Sequence, residues 1–118
     1  MKKRLLSFVY AFRGIKVLYR DEPNAWIHTV ALLMVLAAGF YFQISNHEWL
    51  AVIICIGMVF SAELLNTAIE HICNFINPNF DKRIGVIKDL AAAGVLLSAI
   101  ASLIVGLIIF LPKLSTLI

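Results

Sequence analysis

Apolar positions in this chain of 118 residues fall into two patterns. Up to Arg20 they form a stripe: Leu5, Phe8, Val9, Phe12, Ile15 and Tyr19 return at helical spacing, with Lys2, Lys3, Arg13, Lys16 and Arg20 around them. That periodicity predicts an amphipathic helix over 1–21, lying in a membrane interface with its cations toward the headgroups. After Pro23 the stripe gives way to continuous apolar runs, at about 25–43, 49–73 and 90–111. A bilayer core takes roughly 20 apolar residues of helix, so each run predicts one crossing. Pro23 disfavours helical geometry at Glu22 and suits the first position of a new helix. Glu22 is therefore expected at the bend between surface helix and first span.

Composition narrows the class. Hydrophobic residues make up 62% of the chain and charged ones 14%, and the mean hydropathy is +0.94, which excludes an ordinary soluble domain. The expected architecture is an all-α membrane protein: one membrane domain over 1–118, three transmembrane helices and an N-terminal interfacial helix. The first run starts too late for a cleaved signal and lacks its short apolar core and small-residue cleavage site. Cys55 and Cys73 have no metal or redox spacing and are assigned to packing.

Charge sets the expected orientation. Lys2, Lys3, Arg4, Arg13, Lys16 and Arg20 precede the first span, and Lys82, Arg83 and Lys88 lie beside the second loop; the first loop has no Lys or Arg, and the tail only Lys113. The N-terminus and second loop are thus predicted on the cytoplasmic side of the cytoplasmic membrane. The net charge of +3 serves topology and anionic lipid contact and calls for no nucleic-acid partner.

Polar interruptions of the apolar pattern carry the chemistry. Glu63, Asn66 and Glu70 stand at i, i+3 and i+7 and share one helical face. Ionisable groups at membrane depth are expensive and mark a functional face. Counted from Trp49, Glu63 lies roughly 21 Å and Glu70 roughly 31 Å toward the cytoplasm. Glu22, Glu70, Lys88 and Asp89 then share the height of the inner membrane surface, with Glu63 and Asn66 deeper. Such a set suits phosphoryl transfer from a cytosolic donor to a lipid alcohol in the bilayer. Glu22 and Glu70 are candidate Mg²⁺ ligands, Glu63 a candidate base for the hydroxyl, and Lys88 a cation for ATP phosphates, oriented by Asp89. Gly94, Ser98, Ser102 and Gly106 line a narrow stripe on the third span, read as a surface for close helix approach.

These residues resemble a known family. Glu63-Leu-Leu-Asn66-Thr-Ala-Ile-Glu70, followed eighteen residues later by Lys88-Asp89 and then Ala-Ala-Ala-Gly, is similar to the small prokaryotic diacylglycerol kinase and undecaprenol kinase family. So are Ser7-Phe8-Val9-Tyr10-Ala11-Phe12-Arg13-Gly14 and the later Glu22, Asn24, Ile27 and His28, which look closest to its Gram-positive type. The resemblance implies a homotrimer with active sites shared between subunits, and ATP with Mg²⁺ as donor. It further implies Glu63 as catalytic base, Glu22 and Glu70 as metal ligands, and Asn66, Lys88 and Asp89 as essential site residues. Tyr10 falls where the family contacts nucleotide, and Lys3 where it carries a basic residue. The chain departs from the pattern at Trp26, commonly Arg; at Pro23, directly after the metal-ligand Glu; and at Asn79 and Asp81, where relatives show Glu and His near the nucleotide.

Other readings stand beside this one. Glu63 and Asn66 serve equally as interhelical glue when taken alone, and a non-catalytic proton-relay or assembly subunit would use Glu63 and Glu70 as titrating groups. His28 and His71 read as interface residues rather than metal ligands, since no HExxH spacing accompanies them. Walker, HRD and DFG signatures are absent, which excludes the soluble kinase folds.

Overall fold

The computed structural model describes residues 1–118 and contains four α-helices: α1 (Lys2–Asp21), α2 (Pro23–Tyr41), α3 (Asn46–Ile76) and α4 (Lys82–Ser115). The last three are long and apolar enough to cross a membrane. At 1.5 Å per residue, α3 is roughly 46 Å long and α4 roughly 51 Å, well beyond the ~30 Å hydrocarbon core. Each thus has turns to spare beyond the length needed to cross the hydrocarbon core.

Glu22 forms the elbow between α1 and α2. It is extended (φ −119°, ψ 104°), ends α1 through its own N–H to the Leu18 carbonyl, and accepts from Asn24 N at 3.3 Å to cap α2, with Pro23 as the first helical residue. Trp26 fastens the elbow. Its indole Nε1 donates to the Tyr19 carbonyl at 3.1 Å and its ring meets Tyr19 edge-on at 4.9 Å. That carbonyl is one of those left without a partner at a helix end, so tryptophan at this position has a structural reason. Tyr19 also hydrogen-bonds Thr29 across the bend. Beyond these last turns α1 projects from the bundle, leaving Leu5, Phe8 and Phe12 exposed within the single chain.

The opposite end of the bundle is tightly closed. Gln43 adopts a left-handed φ of 51°; Gln43 N donates to the Phe40 carbonyl and Ile44 N to the Gly39 carbonyl, which together make a Schellman stop for α2. Ser45 and Glu48 then form a reciprocal capping box that starts α3. Ile44, Val52 and Ile109 make the buried core here, flanked by Phe42, Trp49 and Phe110. A Cβ on Gly39 would stand 2.6 Å from the Trp49 ring, so glycine is what lets the ring seat there. Glu48 also takes an ion pair from Lys113 at 2.6 Å, joining α3 to the end of α4.

α3 and α4 make the most extensive pairing, while α2 meets α3 more sparingly. The small-residue stripe behaves differently from the close-packing surface expected of it. Ser98 is buried, yet a Cβ at Gly94 or Gly106 would meet nothing within 4 Å. Within the chain, close approach is achieved at Gly39 instead, where an aromatic ring rather than a helix backbone comes near. Between α2, α3 and α4 an apolar cavity of about 440 Å³ remains, lined among others by Leu32, Val59, Phe60, Ser102 and Phe110, with His28 at its edge.

Candidate active site

Helical periodicity gathers the polar face of α3. Glu63, Asn66 and Thr67 are buried, Glu63 to 1% exposure, and Glu70 is half-buried one turn beyond Asn66. Asn66 Nδ2 donates to Glu70 Oε1 at 3.2 Å, an i,i+4 contact that fixes the Glu70 carboxylate. Asn66 Oδ1 and the Thr67 hydroxyl are buried with no partner in the chain. Unsatisfied buried acceptors are costly and call for an occupant or a neighbour.

Glu63 finds its partner on α2. His28 Nε2 lies 2.9 Å from Glu63 Oε1, across 35 residues of sequence, and the imidazole edge faces Phe60 at 6.3 Å between centroids. His28 thus joins α2 to α3, and its partner there is the candidate base. No local spacing announces such a pair; only matching depth along antiparallel helices would have. Glu22 opens α2 and Glu70 lies two turns past Glu63 on the antiparallel α3, so three carboxylates from two sequence regions lie toward one end of the bundle.

The remaining candidates sit around this end. Lys88 Nζ donates to Asn74 Oδ1 at 2.7 Å, one turn past Glu70 on α3. Asp89 is exposed and makes no hydrogen bond to Lys88; adjacent positions on a helix point apart, so Asn74 rather than Asp89 orients the ammonium. Tyr10 and Lys3 are exposed on the projecting part of α1, with the Arg13 guanidinium over the Tyr10 ring at 5.6 Å. His71 reaches Asp21 at 2.9 Å, tying α3 to the end of α1. Hydrogen bonding from Arg20 holds the Asp21 carboxyl below its usual range. Asn79 N bonds Asn77 Oδ1, and Asp81 caps α4 through Arg83 N at 2.8 Å, with Arg83 holding its carboxyl low. Asp81 therefore has local structural work, whereas Asn79 takes part only through its backbone N–H.

Glu22, Glu70 and the orphaned Asn66 Oδ1 are all hard oxygen donors. No cluster of three or more His, Cys, Asp or Glu forms a complete cage in the single chain. Mg²⁺ is ordinarily held by one or two carboxylates together with substrate phosphates and water, and the residues present fit that mode.

Three apolar helices with a polar, carboxylate-rich end define a multi-pass membrane protein with an enzyme-like site. Comparison with known proteins agrees with this class. The sequence model of the prokaryotic diacylglycerol kinase family matches residues 9–110. The chain is 45% identical over 108 residues to the undecaprenol kinase of Bacillus subtilis (strain 168), covering 92% of this chain and 88% of that protein. It is 34% identical over 116 residues to the diacylglycerol kinase of Synechocystis, covering 96% and 65% respectively. With the diacylglycerol kinase of Escherichia coli (strain K12) it shares 24% over 95 residues, 80% and 78% of the two chains. The chain belongs to the prokaryotic diacylglycerol kinase family, and it is an ATP-dependent lipid kinase rather than a relay or assembly subunit.

Proposed function

We propose that this protein transfers the ATP γ-phosphate to the primary hydroxyl of undecaprenol, with diacylglycerol as the alternative acceptor, at the cytoplasmic face of the cytoplasmic membrane. The observation that carries the reading is that Glu22, Glu63 and Glu70 lie toward one end of the bundle, where Lys88 bonds Asn74 one turn past Glu70. Undecaprenol is favoured over diacylglycerol by the higher identity to the Bacillus enzyme than to the Escherichia one. The excess of Lys and Arg at the same end supports the cytoplasmic placement, and the uncovered apolar stripe of α1 suits a helix lying in the interface.

Each side chain then has a role that its position supports. Glu63 takes the hydroxyl proton from the lipid as it attacks. Lys88 places positive charge on the donor phosphates, held toward them by Asn74. Asn66 fixes Glu70, and Glu70 and Glu22 would hold Mg²⁺. When bound, that ion neutralises phosphate oxygens and orients the donor. Tyr10 and Lys3 on α1, with Arg13, contact the nucleotide, and exposed Asp89 stands at the cytosolic mouth. A homotrimer is the proposed assembly. The unpartnered Asn66 and Thr67 oxygens and the open space at Gly94 and Gly106 are surfaces that a neighbouring subunit would complete.

The test is transfer of label from γ-labelled ATP by purified protein in detergent, offered undecaprenol and diacylglycerol separately. Undecaprenyl phosphate is the expected product. Glu63→Gln should lower kcat by ~10²–10⁴-fold, the usual contribution of a general base, without changing the size of the oligomer. Full activity in that variant removes Glu63 from the role.

A further inference from the structure

Glu22 is the single non-helical residue between α1 and α2, so its backbone angles set both the direction of α1 and the aim of its own carboxylate. Two separate links hold that bend to α2. The Trp26 indole N–H donates to the Tyr19 carbonyl at 3.1 Å. The Tyr19 hydroxyl meets Thr29 Oγ1, which itself donates to the Ala25 carbonyl at 2.8 Å. A threonine hydroxyl has one proton, so the donor between the two hydroxyls is Tyr19. Tyr19 thus accepts through its backbone and donates through its side chain, both times to the first two turns of α2. Leu18 and Ala25, buried to 1% and 0% exposure, close the inside of the bend, and Pro23 fixes one further dihedral. A third link reaches α3, where His71 Nε2 lies 2.9 Å from Asp21 Oδ2. Asp21 directly precedes Glu22 and His71 directly follows Glu70, so this contact joins the chain beside both proposed Mg²⁺ ligands.

We infer that Tyr19, Trp26 and Thr29 are positioning residues of the kinase: the clasp they make sets the elbow at Glu22, and with it the reach of that carboxylate toward Glu70. They act through Glu22. The physical reason is preorganisation. A ligand on a bend free to swing must be ordered when the cation arrives, whereas one on a fastened bend has already lost that freedom in the fold. Glu22 Oε1 accepts from Asn24 N to cap α2, so the carboxylate is tied to the same helix that the clasp grips. The inference rests on the Mg²⁺ role proposed for Glu22 and adds to it the residues that hold this ligand in place.

The test is direct cation binding. Mn²⁺ is titrated into purified protein in detergent with a non-hydrolysable ATP analogue, and bound ion is read from loss of the free-ion electron paramagnetic resonance signal against a protein-free blank. Trp26→Phe and Tyr19→Phe each keep an aromatic ring and remove one donor. Each is expected to raise the Mn²⁺ dissociation constant about three- to tenfold, the span that one lost hydrogen bond can transmit. The Mg²⁺ concentration for half-maximal label transfer should rise by the same factor, with kcat at saturating Mg²⁺ within about twofold of wild type. Glu22→Gln, whose amide oxygen can still cap α2, should weaken Mn²⁺ binding by more, and adding Trp26→Phe to it should change nothing further. An unaltered dissociation constant in both clasp variants would overturn the proposal. So would an equal rise in the Glu22→Gln background, or the same rise in Gly39→Val at the far end of the bundle, since either makes the effect general rather than one of Glu22. Wild-type label transfer tests the lipid-kinase reading apart from this. A wild type that binds Mn²⁺ through Glu22 yet phosphorylates neither alcohol removes that reading and leaves the clasp standing.

Discussion

The two ends of the helical bundle are built on opposite principles. At the end holding the first loop, a Schellman stop, a capping box, an aromatic cluster and the Glu48–Lys113 pair satisfy nearly every group locally. At the other end, buried Asn66 and Thr67 oxygens lack partners within the chain, Glu63 and Glu70 share a helical face, and α1 leaves large apolar side chains exposed. The first end closes the fold, and the second leaves buried polar groups uncompensated within the chain. Stability and chemistry are thereby separated along the long axis of the molecule, so substitutions at the two ends should separate as well.

The largest effect is expected from chelation: EDTA in excess over Mg²⁺ should abolish label transfer to lipid, and added Mg²⁺ should restore it, as checked by thin-layer separation of the product. Next, Lys88→Ala should reduce kcat/KM by ~10²–10³-fold, the usual range for loss of one donor to developing charge, with no change in thermal melting. Comparable loss of melting temperature would place Lys88 with the structural end instead.

Gly39→Val should do the reverse. A Cβ 2.6 Å from the Trp49 ring must displace a side chain that Phe40 already flanks at 5.0 Å, and overpacking of this kind costs about 1–3 kcal/mol. Melting in detergent should fall, while activity per folded molecule stays near wild type. Lys113→Met, which keeps the aliphatic stem but removes the ion pair with Glu48, should lower the melting temperature by less than Gly39→Val and leave kcat unchanged.

The smallest effect is a pH dependence at the α1 elbow. Arg20, through a hydrogen bond, keeps the folded pKa of Asp21 below its ordinary value of 3.8. A lowered folded pKa stabilises the fold above the unfolded value and loses that contribution as pH falls below 3.8 through the folded one. Asp21→Asn should flatten the acid limb of the melting-temperature profile slightly and leave neutral pH nearly unaffected. An unchanged acid limb would show the clasp to His71 and Arg20 to be too solvated to matter.

Much of the architecture was legible from pattern alone. The apolar runs are long because a bilayer core demands it, and Pro23 after Glu22 announces the elbow in local terms. The polar face was equally readable, since Glu63, Asn66 and Glu70 share a helical period and carboxylates at depth are conspicuous. The ends of α3 and α4 were less so. Their surplus turns, Phe75-Ile76 and Lys82–Asp89, lie outside the continuous apolar runs, where hydropathy no longer reports helix.

Sequence by itself determined the membrane class, the number of long apolar helices and the presence of an unusual carboxylate face, because helix periodicity and the cost of charge in hydrocarbon act within a single segment. Tertiary structure alone decided that His28 meets Glu63, that Asn74 rather than Asp89 holds Lys88, that Trp26 braces the elbow and that close approach falls at Gly39. Most of these contacts join segments far apart in the chain, and all depend on how the helices are set against one another in depth and rotation. That setting is a property of packing, which no single stretch of residues encodes.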